Sequence, residues 1–300
     1  MSVLLDRLKR REILVADGAL GTMLMGEGLQ AGDCPEAIVL SRPKLLLEIC
    51  DLYLQAGADI LQTNTFGGSP LKLAEYGLQD QCETINRRAV ELVREVAGTK
   101  AYVSASIGPT GKILQPYGDT APAEVEQAFE RQLKAILSAG PDLICIETMM
   151  DNQEAEIAIR TSKKLAPQTP VMATVTFEDS ARGFFTMMGT DIRHVASSLS
   201  AAGADIVGSN CGNGLEKMLR IARELRNCTE LPLAIQSNAG MPISQKGKLS
   251  YPETPEFFKK HVPELIHAGV SIIGGCCGTT PAHIQAIKEI VLARARKVTE

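Results

Sequence analysis

Three cysteines stand where apolar, β-branched runs give way to glycine-rich turns. Cys276 and Cys277 follow an Ile-Ile-Gly-Gly run, and Cys211 lies between Asn210 and Gly212. Thiolates suit zinc, which takes soft sulfur ligands in a tetrahedron, and three protein ligands leave a fourth position open, as in catalytic sites. Adjacent strand residues face opposite ways, so Cys276 and Cys277 can bind one ion only where the strand ends and bends. Two ordinary buried thiols or a vicinal disulfide are the alternatives that the spacing leaves open.

The other five cysteines are not expected to carry chemistry. Cys34, Cys50, Cys82 and Cys228 fall on predicted loops or helices, and Cys145 lies inside a predicted strand as a core residue. Eight cysteines in a cytosolic chain of this size do not indicate a disulfide framework.

Composition narrows the class of protein. A chain of 300 residues with 45% hydrophobic residues can build a sizeable core. The net charge of −4, without a block of like charge, lacks the basic footprint of a nucleic-acid binder. The N-terminus lacks the features of a signal peptide, and no apolar run reaches the ~20 residues that cross a bilayer. We therefore expect a cytoplasmic protein that contacts neither nucleic acid nor membrane.

Two carboxylates also stand at predicted strand ends. Asp17 and Glu147 are flanked by apolar residues, and a buried charge without a partner is costly. Each should therefore meet a cation, either a structural Lys or Arg or the ammonium group of an amino-acid substrate. The backbone amides of Gly18 and Ala19 can bind an anion beside them.

Short apolar runs alternate with helical patterns throughout the chain, and the runs are apolar on both faces, as buried parallel strands are. Eight strand-then-helix units predict a closed (β/α)₈ barrel of the TIM type, one domain over residues 1–300. A doubly wound open sheet is the alternative. The predicted strands cover 13–19, 59–66, 101–109, 142–149, 170–177, 205–211, 232–240 and 270–278. The predicted helices cover 43–55, 81–96, 123–138, 152–165, 192–201, 215–225, 255–267 and 281–293.

The longest irregular stretches, 21–42, 108–120 and 241–254, all follow predicted strands. In such barrels the loops after strands form the active face, so these insertions lie where chemistry is expected. The four histidines fall on helical stretches and fit no metal-binding spacing. Met187 and Met188 are expected to pack within their loop.

Seven segments, in this order, resemble the homocysteine S-methyltransferase family over essentially the whole chain. They are Asp-Gly-Ala-Leu-Gly-Thr at 17–22, Thr-Asn-Thr-Phe-Gly at 63–67, Ile-Gly-Pro-Thr-Gly at 107–111, Glu-Thr at 147–148, Asn-Cys-Gly at 210–212, Asn-Ala-Gly-Met-Pro at 238–242 and Gly-Gly-Cys-Cys-Gly-Thr-Thr-Pro at 274–281. The second, third and sixth segments look most like the homocysteine-binding module of cobalamin-dependent methionine synthases.

The resemblance implies a zinc-dependent methyltransferase that makes methionine from homocysteine. It places zinc on Cys211, Cys276 and Cys277, and it implies that Asp17 and Glu147 engage the amino group of homocysteine. The remaining substrate-binding candidates are, more loosely, Gly18, Ala19, Thr65 and Asn210.

The methyl donor is expected to be methylcobalamin or a related corrinoid, supplied in trans by a corrinoid-binding protein or module. The chain carries no Asp-x-His-x-x-Gly corrinoid motif of its own. A sulfonium donor, S-methylmethionine or S-adenosylmethionine, is the alternative, as is a non-catalytic zinc module that docks a corrinoid protein. Betaine is disfavoured, because quaternary ammonium groups are usually held in aromatic cages and this chain has no Trp and only 4% aromatic residues.

Overall fold

The computed structural model describes residues 2–30, 32–245 and 248–299. Its main sheet contains eight parallel strands in the order β1-β12-β9-β8-β5-β4-β3-β2. A parallel bridge between Ala16 and Ile60 joins β1 to β2, so the two ends of the sheet meet. The predicted TIM-type barrel is therefore confirmed. The barrel strands are β1 Leu14–Val15, β2 Ile60–Gln62, β3 Tyr102–Ile107, β4 Leu143–Met149, β5 Val171–Val175, β8 Ile206–Asn210, β9 Leu233–Ser237 and β12 Val270–Gly275.

Helices follow the barrel strands and cover the outside of the sheet. All eight predicted helices are confirmed, although α12 continues beyond its predicted end. Pro43, Pro122, Pro255 and Pro281 each occupy the first helical position, where the missing N–H costs nothing. The helices are α1 Val3–Lys9, α2 Leu20–Gly26, α3 Ile38–Ser41, α4 Pro43–Gln55, α5 Pro70–Leu73, α6 Cys82–Ala97, α7 Pro122–Ser138, α8 Asn152–Leu165, α9 Ile192–Ala202, α10 Leu215–Arg226, α11 Pro255–His267 and α12 Pro281–Thr299.

The core has two parts, because each strand is covered on both faces. Outward-facing strand residues pack against the surrounding helices, while inward-facing residues such as Leu14 and Ile206 fill the barrel. Leu4 and Leu8 of α1 join this interior cluster, which places α1 over the end of the barrel where the strands begin. Cys145 also lies in the interior cluster, as predicted for a core residue. Because α1 covers the end of the barrel where the strands begin, chemistry is expected at the carboxyl ends of the strands.

Four helix ends share the same glycine turn. Gly57, Gly140, Gly203 and Gly269 have φ values of 96°, 67°, 109° and 82°, in the left-handed region that glycine tolerates best. Each lies shortly before β2, β4, β8 or β12. This repeated turn reverses the chain from helix to strand within a few residues.

Two hairpins lie in loops that follow barrel strands, one of them in the stretch 241–254 that the sequence predicts to be irregular. The loop after β5 contains β6 Glu178–Ser180 and β7 Gly183–Phe185, and the loop after β9 contains β10 Ile243–Gln245 and β11 Lys248–Ser250. Each strand has three residues, which is too short for an alternating pattern to stand out. None of the described helices has both the length and the apolar character needed to cross a bilayer.

Met187 and Met188 do not pack within their loop as predicted. Their exposed fractions are 60% and 40%. The prediction was wrong because it took apolar character as a sign of burial, although single apolar side chains are commonly exposed on protein surfaces.

Candidate metal centre and substrate pocket

The three predicted thiols come together at the carboxyl end of the barrel. The sulfurs of Cys211, Cys276 and Cys277 all lie within 4.8 Å of one another, and those of Cys211 and Cys277 are 3.8 Å apart. A tetrahedral zinc ion with Zn–S bonds of ~2.3 Å separates its sulfur ligands by about 3.8 Å. The donor set and its spacing therefore fit a zinc ion.

The backbone at each turn explains how the cysteines converge. Cys211 is the first residue after β8 and has a φ of 59°, one of three positive values among non-glycine residues in the described chain. Its N–H donates to the carbonyl of Gln236 at 3.1 Å, which ties this strained turn to β9. β12 ends at Gly275, and the N–H of Cys276 donates to Ser237 at 2.7 Å. Because the strand has ended, Cys276 and Cys277 both reach the same point, as the sequence requires.

The three thiols change one another's pKa. Hydrogen bonds from Cys211 and then Cys276 lower the pKa of Cys277, whereas hydrogen bonding to these neighbours raises the pKa of Cys276. One thiolate is thus stabilised by two neutral thiols. A divalent metal supplies the charge that lets all three sulfurs ionise.

An unpaired amide oxygen lies in the segment that follows β9. Oδ1 of Asn238 is buried and has no hydrogen-bond partner among the described residues. The backbone of the same segment is bonded to both cysteine turns, through Asn238 N to Asn213 O at 3.0 Å and Ala239 N to Cys277 O at 2.9 Å. Buried polar atoms are rarely left unpaired, so this oxygen is available to a metal or a ligand.

A cavity of about 270 Å³ opens beside the cysteines. Among the described residues that line it there are two carboxylates and three cysteines but no Lys, Arg or His. Phe66 is the one aromatic residue in this lining. The cavity is lined by Gly18, Ala19, Leu20, Gly21, Thr22, Pro35, Glu36, Gln62, Thr63, Asn64, Phe66, Ser106, Glu147, Thr148, Cys211, Gly275, Cys276 and Cys277.

Glu147 presents a buried carboxylate on this cavity. Its Oε1 accepts a short hydrogen bond from Ser106 Oγ, and its Oε2 accepts from Asn210 Nδ2 at 3.2 Å. Burial raises its pKa to about 7. The structure records no ion pair to Glu147 in the described chain.

Asp17 lies directly before the cavity-lining Gly18 and is only 5% exposed. Oδ2 of Asp17 accepts from the N–H of Gln62 at 2.7 Å. Burial and, to a smaller extent, the charge of Glu147 raise its pKa to about 8. No described Lys or Arg forms an ion pair with Asp17, so the cation that the sequence predicts for this carboxyl group stays a prediction.

The looser substrate candidates occupy three different situations. Gly18 and Ala19 line the cavity, but the N–H of Ala19 donates to Thr279 Oγ1 at 3.1 Å. That amide is therefore not free to bind an anion, contrary to the expectation. Thr65 is fully buried, and its Oγ1 donates a hydrogen bond to Ser106 O at 2.6 Å. It does not line the cavity, so its role in substrate binding stays a prediction.

Asn210 is buried and acts through its neighbours. Its Oδ1 accepts from the N–H of Thr148 at 2.7 Å, and its Nδ2 donates to Thr148 Oγ1 at 2.7 Å as well as to Glu147. Thr148 has a φ of 57°, so these bonds hold a second strained residue of the cavity wall. Asn210 thereby orients the carboxylate.

Comparison with known proteins identifies the family of this chain. The sequence pattern of homocysteine S-methyltransferases matches residues 14–291. This chain belongs to the homocysteine S-methyltransferase family. Methionine synthases of Mycobacterium tuberculosis and Mycobacterium leprae are each 32% identical over 96% and 98% of the chain, which spans about a quarter (25%) of their length.

Solved structures of the family share the fold. The homocysteine methyltransferase MmuM from Escherichia coli, in its metallated form, superposes with a TM-score of 0.79 at 26% identity, covering 95% of this chain and 98% of MmuM. The apo form of MmuM gives a TM-score of 0.72.

Two site residues of this homocysteine S-methyltransferase family member escaped the sequence analysis. Asn238 was recognised as a strand end but not as a functional residue. Glu36 lies within the long loop after β1, yet it is 4% exposed, lines the cavity and accepts from Gly67 N at 2.7 Å and Cys34 Sγ at 3.4 Å. A carboxylate within an insertion on the active face is the only signal that pointed to Glu36.

Proposed function

We propose that this chain transfers a methyl group to the sulfur of homocysteine, giving methionine, with zinc held by Cys211, Cys276 and Cys277. The convergence of these three sulfurs beside a cavity with buried, unpaired carboxylates carries the proposal. Family membership supports homocysteine as the acceptor. When bound, zinc would ligate the thiol of homocysteine and keep it as a thiolate, the nucleophilic form of sulfur.

The chain's own residues orient the acceptor. Asp17 and Glu147 lack a described basic partner, and their mutual repulsion is relieved when an ammonium group lies between them. Ser106 and Asn210 fix the two oxygens of Glu147, so the carboxylate is preorganised. This arrangement selects an amino acid whose sulfur reaches the cysteines while its ammonium group lies at the carboxylates.

The donor that we propose is a methylcorrinoid held by another polypeptide or by another part of a longer chain. A protein that carries a corrinoid is large, so its docking needs an accessible apolar surface around the cavity. Exposed apolar side chains follow several barrel strands, namely Met25, Ile113, Tyr117, Met187 and Met241. The higher identity to methionine synthases than to MmuM also supports this donor.

A sulfonium donor is the second candidate. The homocysteine methyltransferase MmuM matches this chain over nearly its whole length. A small donor needs no docking surface for a second protein. A zinc module that only docks a corrinoid protein would differ from both by binding metal without turnover.

Assays with three donors separate these candidates. Zinc-loaded protein and homocysteine are incubated with methylcobalamin, S-methylmethionine or S-adenosylmethionine, and methionine is measured. We expect methionine from methylcobalamin at a rate well above the protein-free control. Methionine from a sulfonium donor alone would assign the second candidate, and zinc binding without methionine from any donor would overturn the proposed enzyme.

A further inference from the structure

The two cysteine-bearing turns come from strands that are not neighbours. Cys211 follows β8, Cys276 and Cys277 follow β12, and β9 lies between these strands in the sheet. The spacing of the sulfurs therefore depends on whatever connects the two turns across the end of β9. Tracing those connections leads to Glu253 and His283, neither of which has a role in the chemistry above.

Glu253 is bonded to the turn that carries Cys211. Its Oε2 accepts from the N–H of Leu215 at 3.0 Å, and Leu215 is the first residue of α10, directly after that turn. A carboxylate at the start of a helix satisfies a free N–H and interacts favourably with the helix dipole. The backbone N–H of Glu253 donates to Ala239 O at 3.0 Å, which anchors Glu253 to the segment after β9.

His283 is bonded to the turn that carries Cys276 and Cys277. Its Nδ1 lies 3.1 Å from the backbone N of Thr280, and its Nε2 lies 2.9 Å from the carbonyl oxygen of Glu253. A backbone N–H can only donate and a carbonyl can only accept, so the ring is neutral with its proton on Nε2. The ring is 6% exposed and meets Phe258 edge-on at 5.0 Å between centroids.

We infer that Glu253 and His283 form a clasp that sets the separation of Cys211 from Cys276 and Cys277. The inference rests on the proposed zinc site. The hydrogen bonds of the clasp run from the start of α10 through the side chain and carbonyl of Glu253 to His283 and the start of α12. The clasp residues touch no sulfur, so they are positioning residues and not ligands.

A clasp of this kind has a measurable consequence for metal binding. Residues that hold metal ligands in place typically change metal affinity by about 10–100-fold when they are removed. The eight barrel strands do not depend on Glu253 or His283, since these residues lie in a loop and in the first turn of α12. Loss of the clasp should therefore weaken zinc binding without unfolding the barrel.

The test compares five proteins: wild type, Glu253→Ala, Glu253→Gln, His283→Ala and, as the matched control, His267→Ala. His267 lies at the exposed end of α11. Glu253→Gln keeps an oxygen that can accept from Leu215 N. Zinc affinity is measured by competition with a chromophoric chelator. Proximity of the thiols is measured in the metal-free proteins by cross-linking with dibromobimane and mapping the bridged peptides.

We expect both alanine variants to bind zinc about 10–100-fold more weakly than wild type and to cross-link Cys211 to the Cys276–Cys277 peptide less efficiently. Glu253→Gln and His267→Ala should match wild type in both measurements. Folded alanine variants with wild-type affinity and cross-linking would overturn the clasp. If His283→Ala does not fold, the contrast between Glu253→Ala and Glu253→Gln decides the question. Failure of methyl transfer by wild-type protein would overturn the proposed function and leave these affinity measurements unchanged.

Discussion

Nδ2 of Asn210 donates a hydrogen bond to Oε2 of Glu147 at 3.2 Å, and the residue after Asn210 is Cys211. One residue therefore connects the carboxylate proposed to bind the substrate ammonium with a proposed zinc ligand. Orientation of the acceptor and position of its sulfur are coupled through this side chain.

Replacement of Asn210 should impair recognition of homocysteine. Asn210→Ala removes the bond to Glu147 and both bonds to Thr148, and hydrogen bonds to charged groups contribute about 1.5–3 kcal/mol. Steady-state kinetics should show the KM for homocysteine raised about tenfold or more. Asn227→Ala, at the exposed end of α10, is the matched control and should behave like wild type. An unchanged KM in Asn210→Ala would contradict the coupling.

Asp17 should make the empty protein less stable at alkaline pH. Its pKa is raised from 3.8 to about 8 on folding, so between these values the folded protein holds a proton that the unfolded chain has released. Stability from this group therefore falls as pH rises through this window. Asp17→Asn removes the titration but keeps an oxygen to accept from Gln62 N.

The measurement is the melting temperature of metal-free, ligand-free protein at pH 5 and pH 8. The melting temperature of Asp17→Asn relative to that of wild type should be higher at pH 8 than at pH 5. The variant should also bind homocysteine more weakly. Equal differences at both pH values would show that Asp17 is not held as a buried, unpaired carboxyl group.

The exposed methionines should matter most for a large donor. Met187→Lys places a charge on the loop after β5, where the side chain is 60% exposed, and disfavours apolar docking. The rate with a protein-bound methylcorrinoid should fall by a larger factor than the rate with free methylcobalamin. Leu52→Lys is the matched control, since Leu52 is a 45% exposed apolar residue on α4, outside the barrel mouth. Equal losses with both donors would argue against docking at Met187.

The barrel could be predicted because its strands are buried on both faces. Runs such as 143–146 are apolar throughout, and a glycine at the end of the preceding helix marks the start of four of the eight strands, β2, β4, β8 and β12. The cysteine pair could also be placed, because adjacent residues can share an ion only after a strand has ended. β12 does end at Gly275, directly before Cys276.

Other features depend on contacts that the sequence does not display. Whether Asn238 Oδ1 has a partner, and whether a basic side chain reaches Asp17, are decided by residues distant in the chain. Hydrogen bonds from Gly67 and Cys34 hold the side chain of Glu36 at the cavity, and Glu36 lies in an insertion that has no periodic pattern. The hairpins were missed because strands of three residues offer too few positions to show a period.

Zinc content and methionine formation, measured on the same preparations, test the central claim most directly. Wild type and Cys228→Ala, a partly buried cysteine outside the site, should each carry about one zinc per chain and form methionine. Cys211→Ala should lose both the metal and the activity while remaining folded. Methionine formation by zinc-free Cys211→Ala at the wild-type rate would contradict the account.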